Sequence, residues 1–252
     1  MVKPSRGTAR QSANACFLIL SRRRAGVKMV RMSETSSARP YRGVEAAQRL
    51  ATRRSRLLAA GLDILGAQRQ SVSAVTVRGV CRQAGLAARY FYESFADKDE
   101  FVASVFDWVV AQLAATTQAA VATVPAPEQT RAGMANIVHT IADDARLGRL
   151  LFSTQLADPV IVRKRAESSA LFAMLSGRHV GDALRVPEND RIKAAAHFVV
   201  GGVGQTISAW LAGDVRLEPD QLVDHLAALL DELAKPSLYR LTETAAEPRS
   251  DA

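Results

Sequence analysis

The chain is expected to be all-α, with a small head of three N-terminal helices followed by a larger helical body, about nine helices altogether. Three observations predict this. Between the interior prolines the apolar residues recur at helical spacing, as with Leu222, Leu226 and Leu229, continued by Leu230 and Leu233. No stretch alternates in the two-residue strand period, and there is no Asn-Gly or Asp-Gly hairpin signal. Two short helical patterns meet at Ala84-Gly85-Leu86, ahead of a long Ala- and Leu-rich remainder. The domains expected are a basic arm over 1–42, a head over 43–96, a body over 97–235 and a flexible tail over 236–252.

The arm carries the chain's net charge of +8. Residues 1–31 hold Lys3, Arg6, Arg10, Arg22, Arg23, Arg24, Lys28 and Arg31 and no acid, and the rest of the chain has as many basic as acidic residues. Residues 1–31 are read as lying outside the native protein, with translation beginning at Met32, where MSETSSARPYRG resembles a natural polar N-terminus. The competing reading is a disordered basic tail that adds sequence-independent phosphate contacts. The apolar run ANACFLIL is too short for a membrane span and is followed by Ser21-Arg22-Arg23-Arg24 rather than a cleavage site. A cytoplasmic protein without membrane contact is expected.

The first head helix is expected from Gly43 to Ala67, with Leu50, Leu57, Leu58, Leu62 and Leu65 inward and Arg49, Arg53, Arg54 and Arg56 crowding its first half. After the loop GAQRQSVSAV, Thr76 is a natural N-cap for a second helix. Val77, Val80, Cys81 and Ala84 form its buried face, and Arg78 and Arg82 point outward. Gly85 supplies the tight turn, and the third helix follows from about Ala87 to Ser94.

That third helix lies within RYFYESFADKDEF, where five of the chain's fourteen aromatic residues stand in thirteen positions. Phe91 and Phe95 share one face. At 100° per residue Arg89 lies about 140° from the middle of that face, with Tyr90 and Tyr92 on either side of the outward arc. Two Phe residues therefore pin a very short helix, while an Arg and two Tyr remain free to meet phosphates and base edges. Arg89 and Glu93 have i, i+4 spacing suited to a solvated pair. Asp97 and Glu100 have the spacing of a capping box that would start a long fourth helix at Lys98, continued by Phe101, Val105, Trp108 and Val109. Further along, Asp158-Pro159 and Pro219 suit the first turns of later helices.

A helix-turn-helix places its second short helix in a DNA major groove. Thr76-Val77-Arg78, Ala84-Gly85-Leu86, Tyr92, Phe95, Lys98 and Phe101 resemble the TetR family of bacterial transcriptional regulators in order and spacing, over residues 50–105. The resemblance implies phosphate contacts from Thr76, Tyr92 and Lys98, and base reading by the third helix. It also implies a two-fold dimer interface from helices at about 188–213 and 218–235. Position 87, often a capping Ser in the family, is Ala here, and Arg89 and Tyr90 replace small residues. The expected DNA-contacting set is Thr76, Arg78, Ala87, Ala88, Arg89, Tyr90, Tyr92 and Lys98.

The body offers less. His139, His179, His197 and His225 are scattered without metal-ligand spacing, so no metal is expected. Gly201-Gly202-Val203-Gly204 lacks the Lys-Ser/Thr of a phosphate loop and sits inside a helical run, where small residues let helices approach closely. No G-x-S-x-G or Ser/His/Asp pattern points to an enzyme, and no cofactor is expected. His139, Phe152, Gln155 and Phe172 set polar or aromatic groups within apolar segments and are the candidates for a pocket holding a small, largely apolar effector. The expected protein is a ligand-responsive regulator, a repressor that binds a near-palindromic operator in double-stranded DNA as a homodimer. A helical carrier or enzyme, or an architectural DNA binder acting through its arm, are the alternatives.

Overall fold

The computed structural model describes residues 41–67, 75–184, 189–235 and 238, with side chains described at 46–67, 75–178, 189–235 and 238. Residues 1–40 of the expected arm, most of the loop after the first helix and nearly all of the tail lie outside them. The described residues form nine α-helices and no strand. They are α1 (Tyr41–Gly66), α2 (Val77–Ala84), α3 (Ala88–Tyr92), α4 (Lys98–Ala122), α5 (Gln129–Asp143), α6 (Ala145–Phe152), α7 (Pro159–Leu184), α8 (Asp190–Ala212) and α9 (Pro219–Leu233). A 3₁₀ turn, Ala126–Glu128, separates α4 from α5. No helix among them is long and apolar enough to cross a membrane.

Local chemistry sets most of the helix starts. The Thr76 hydroxyl accepts from the Gly79 N–H at 3.0 Å and begins α2. Asp97 Oδ1 accepts from the Glu100 N–H at 2.8 Å and begins α4. The return bond of the expected capping box is displaced by one residue, because Glu100 Oε2 accepts from Ala96 N–H at 2.7 Å. Asp158 Oδ1 accepts from Val160 N–H at 2.8 Å ahead of Pro159, and Glu218 N–H donates to Gln221 Oε1 at 3.0 Å ahead of Pro219.

One apolar cluster runs through α1, α2, α3 and the first half of α4, and continues into α6 and the start of α7. Leu57, Val80, Phe91, Phe101, Val105, Leu150 and Ile161 are all within it and essentially inaccessible. The small head is therefore packed directly onto the body. A second cluster joins α5, α8 and α9 through Met134, Val138, Ile141, Ile207, Leu222, Val223 and Leu226. Phe152, at the end of α6, packs against both.

Two sequence expectations fail on side-chain direction. Leu50 is 43% exposed rather than inward, because α1 extends beyond the elements that cover it and its neighbours at 46–52 are also exposed. Leu229 is 48% exposed. The buried arc of α9 runs through Leu222, Val223, Leu226 and Ala227, which leaves Leu229 about 90° from its middle. The α9 apolar face is turned onto α5, whereas α7 and α8 pack extensively against each other.

Arg165 on α7 ties that helix to α6. Its guanidinium donates to the carbonyl oxygens of Arg149 (3.1 Å), Leu150 (2.7 Å) and Leu156 (3.2 Å), satisfying the end of α6 and the turn beyond it. Burial pushes its pKa below the usual arginine range.

Candidate nucleic-acid interface

The turn between α2 and α3 is made by Gly85 at φ 63°, a left-handed conformation that a side chain resists. Its N–H donates to Arg82 O at 3.2 Å, and Leu86 N–H to Cys81 O at 2.9 Å. This closes α2 and turns the chain so that α3 starts three residues later. Nothing caps α3 with a side chain, since position 87 is Ala. A five-residue helix without a cap is held instead by packing. The rings of Phe91, Phe95 and Phe101 lie 5.0–5.4 Å apart, all three essentially inaccessible.

Three arginines of α1 brace this unit. Arg54 donates to Ser94 O at 2.7 Å with its guanidinium 4.4 Å from the Phe95 ring centre, and Arg56 donates to Ala84 O at 2.7 Å. The guanidinium of Arg53 lies 4.0 Å from the Tyr90 ring centre and 3.6 Å from Glu93 Oε2. Sequence reasoning noted the crowding of these arginines but gave them no role. Only their cationic excess on one half of a helix was visible.

The outward side carries the remaining expected residues. Thr76, Arg78, Ala87, Ala88, Arg89 and Tyr92 are exposed, and Tyr90 and Lys98 are half-buried. Tyr92 is 63% exposed, its ring edge-on to Phe91 at 5.5 Å. Arg78, Arg82, Leu86, Ala88 and Tyr92, with Val77 and Cys81 beneath, line a shallow open groove of about 460 Å³ between α2 and α3. Burial pushes the Cys81 thiol pKa up, which keeps it in its unreactive form.

Arg89 makes no ion pair with Glu93, although their i, i+4 spacing would allow one. Its Nη2 donates to the Tyr90 hydroxyl at 2.7 Å, with the guanidinium 4.7 Å from the Tyr90 ring centre. That hydrogen bond raises the Arg89 pKa. Glu93 turns instead to Arg53, because α1 brings a second guanidinium alongside.

The four residues expected to line an effector pocket are dispersed. His139 Nε2 lies 3.1 Å from Asp220 Oδ1 on the exposed α5–α9 seam. Gln155 is exposed between α6 and α7, and Phe172 is half-buried on α7. Phe152 sits between the two clusters, its carbonyl accepting from Ser208 Oγ at 3.0 Å. Among the described residues no hydrogen bond or ring contact joins any two of the four. No group of three or more His, Cys, Asp or Glu among the described residues is arranged to hold a metal ion.

No protein-family model and no curated protein matches the chain. Solved structures do. A transcriptional regulator FadR from Bacillus subtilis, in complex with stearoyl-CoA, is 15% identical, with 70% of this chain and 96% of that chain covered at a TM-score of 0.56. A tetR-family transcriptional regulator from Streptomyces coelicolor is 17% identical, with 73% and 80% covered at a TM-score of 0.54. NalD, the secondary repressor of the MexAB-OprM multidrug efflux pump in Pseudomonas aeruginosa, is 15% identical, with 72% and 96% covered at a TM-score of 0.51. At these identities the likeness is one of fold.

Proposed function

We propose that this chain, which has the all-α fold of TetR-type transcriptional regulators, is a DNA-binding transcriptional regulator that acts as a homodimer and responds to a small effector. The observation that carries the reading is the α2–α3 unit. Two short helices are joined through Gly85, with α3 pinned by Phe91 and Phe95 and Arg89, Tyr90 and Tyr92 on its outward side. Residues 43–96 act as the DNA-binding head and 97–235 as the effector-binding and dimerisation body. Each subunit lays α3 in one major groove of a near-palindromic operator, with Ala87 and Ala88 allowing close approach of its N-terminal turn. Thr76, Arg78, Tyr92 and Lys98 serve the phosphates and hold the register.

Dimerisation is assigned to α7 and α8 rather than to α8 and α9. The apolar side of α9 is spent on α5, whereas Phe198 is 67% exposed and a Cβ added at Gly201 or Gly202 would meet nothing within 4 Å. Val162, Leu171 and Met174 of α7 are exposed as well. Such surface is uncommon on a lone soluble subunit, and matched copies of it give an isologous interface.

Likeness to a regulator solved with stearoyl-CoA supports an effector with a large apolar part. Of the residues considered for its pocket, Phe152 packs against both apolar clusters. The effector favours a dimer whose heads are spaced wrongly for DNA, by as much as its affinities for the two arrangements differ, and repression is the sign of regulation that the likeness to NalD supports.

Selection from random double-stranded DNA with the full chain tests the reading, run beside residues 32–252 at one stated salt concentration. Recovery of a palindrome by both is the expected result. Binding by the full chain alone, without sequence preference, would replace the reading with an arm-driven architectural binder. No binding by either would remove DNA from the function altogether.

A further inference from the structure

Arg89 is exposed and Tyr90 half-buried on the outward side of α3, yet neither is free. The Tyr90 ring has the Arg53 guanidinium 4.0 Å and the Arg89 guanidinium 4.7 Å from its centre. The Tyr90 hydroxyl accepts from Arg89 Nη2 at 2.7 Å. Glu93 Oε2, 3.6 Å from Arg53 Nη1, is the nearby counter-charge. One aromatic ring and one carboxylate thus gather two cations that would otherwise repel each other. An unrestrained surface arginine loses rotamer freedom when it is fixed, and an arginine already held meets a partner with less of that cost.

Resting on the DNA-binding reading, we infer that Arg89 is the residue that selects a guanine in each half-site, and that Tyr90 and Arg53 are positioning residues that hold it for that purpose. With one Nη2 hydrogen engaged by the phenol, Arg89 keeps Nε–H, both Nη1 hydrogens and the second Nη2 hydrogen. A pair of these matches the two acceptors, O6 and N7, that guanine alone presents side by side in the major groove. Adenine and cytosine place an amino donor in that space, which a guanidinium cannot satisfy, and thymine offers a single acceptor. Arg89 is on the second residue of α3, opposite the buried Phe91 and Phe95. The pair Arg53–Glu93 lets α1 fix the ring from behind, so the reader is held from outside its own short helix.

The test uses the full chain and the sequence it selects. Wild-type protein is expected to enrich guanine at one base pair of each half-site, and replacing that guanine should weaken binding by about 5- to 150-fold. Arg89→Ala should abolish the preference at that pair alone, because alanine offers no donor to O6 or N7. Tyr90→Phe keeps the ring and loses the hydroxyl. It is expected to cut the guanine preference by about 3- to 10-fold. Thermal unfolding of each variant separates misfolding from loss of positioning, and Arg53→Gln supplies a second route to the same loss. Equal weakening on all sequences by Arg89→Ala would make Arg89 a phosphate contact and overturn the inference. Unchanged preference in both Tyr90→Phe and Arg53→Gln would overturn the positioning role. A wild-type protein that selects no sequence at all would remove the DNA-binding reading and this inference with it, a result distinct from either of the others.

Discussion

Arg146, in the first turn of α6, is ion-paired with Asp63 near the end of α1. The head is thereby bonded to the shortest helix of the body. Asp63 also accepts from Gln83 Nε2 of α2 at 3.3 Å, and Asp144 holds the other side of the Arg146 guanidinium, 2.6 Å from Nη2. The polar chain from α6 through α1 to α2 runs beside a very close approach. A Cβ built on Gly66 would lie 2.4 Å from Arg146 Cβ and 2.8 Å from its Cα.

Gly66→Ala should therefore destabilise the protein. Alanine gains at most about 1 kcal/mol in helix propensity at the end of α1. The contact with the Arg146 backbone cannot be relieved by a rotamer change, and overpacking of this kind costs about 1–3 kcal/mol. Denaturant unfolding of the variant reads the difference, and an unchanged or raised midpoint would mean that α6 slides freely along α1.

Asp144 has its pKa lowered, first by the side-chain hydrogen bond from Arg146. A carboxylate whose folded pKa lies below its unfolded value stabilises the fold above the unfolded value, near 3.9. That stabilisation disappears as pH falls through the folded pKa. Asp144→Asn keeps an N-cap acceptor and loses the charge. Wild type should exceed the variant in stability near pH 7, and the gap should close as the pH is lowered below about 4. A gap that persists to strong acid would show that the charge plays no part.

Removing Arg165 exposes the cost of its carbonyl contacts. Arg165→Met keeps much of the aliphatic stem but leaves the oxygens of Arg149, Leu150 and Leu156 without this donor. A loss of about 2–4 kcal/mol is expected in chemical denaturation. A loss below 1 kcal/mol would mean that water replaces the guanidinium at little cost.

Phe198→Glu tests whether the uncovered face of α8 lies in the dimer interface. Phe198 is 67% exposed in the single subunit, so its replacement should leave the unfolding midpoint of the monomer nearly unchanged. Sedimentation equilibrium should show the dimer weakened by at least about tenfold, as for a central interface aromatic. An undisturbed dimer would move the interface away from this face of α8.

Lys98→Ala should reduce the slope of log affinity against log salt by about 1 and weaken binding uniformly across sequences. An unchanged slope would remove Lys98 from the phosphate contacts.

The amino-acid sequence by itself determined the helical class, the starts of α2, α4, α7 and α9, the Gly85 turn, and which faces of α2 and α3 are buried. Those features are local. A cap closes within about four residues, a left-handed turn is a property of one glycine, and a helical face follows from the 100° step. Tertiary structure alone decided that Glu93 serves Arg53 rather than Arg89, that Tyr90 holds two guanidinia, and that Arg165 satisfies the end of α6. It also decided that α9 turns its apolar side to α5 and leaves Phe198 of α8 uncovered. Each of these depends on which helix comes to lie beside which. Long, mobile side chains such as arginine and glutamate have several partners within reach along their own helix. Packing of the apolar clusters sets which distant partner arrives close enough to win.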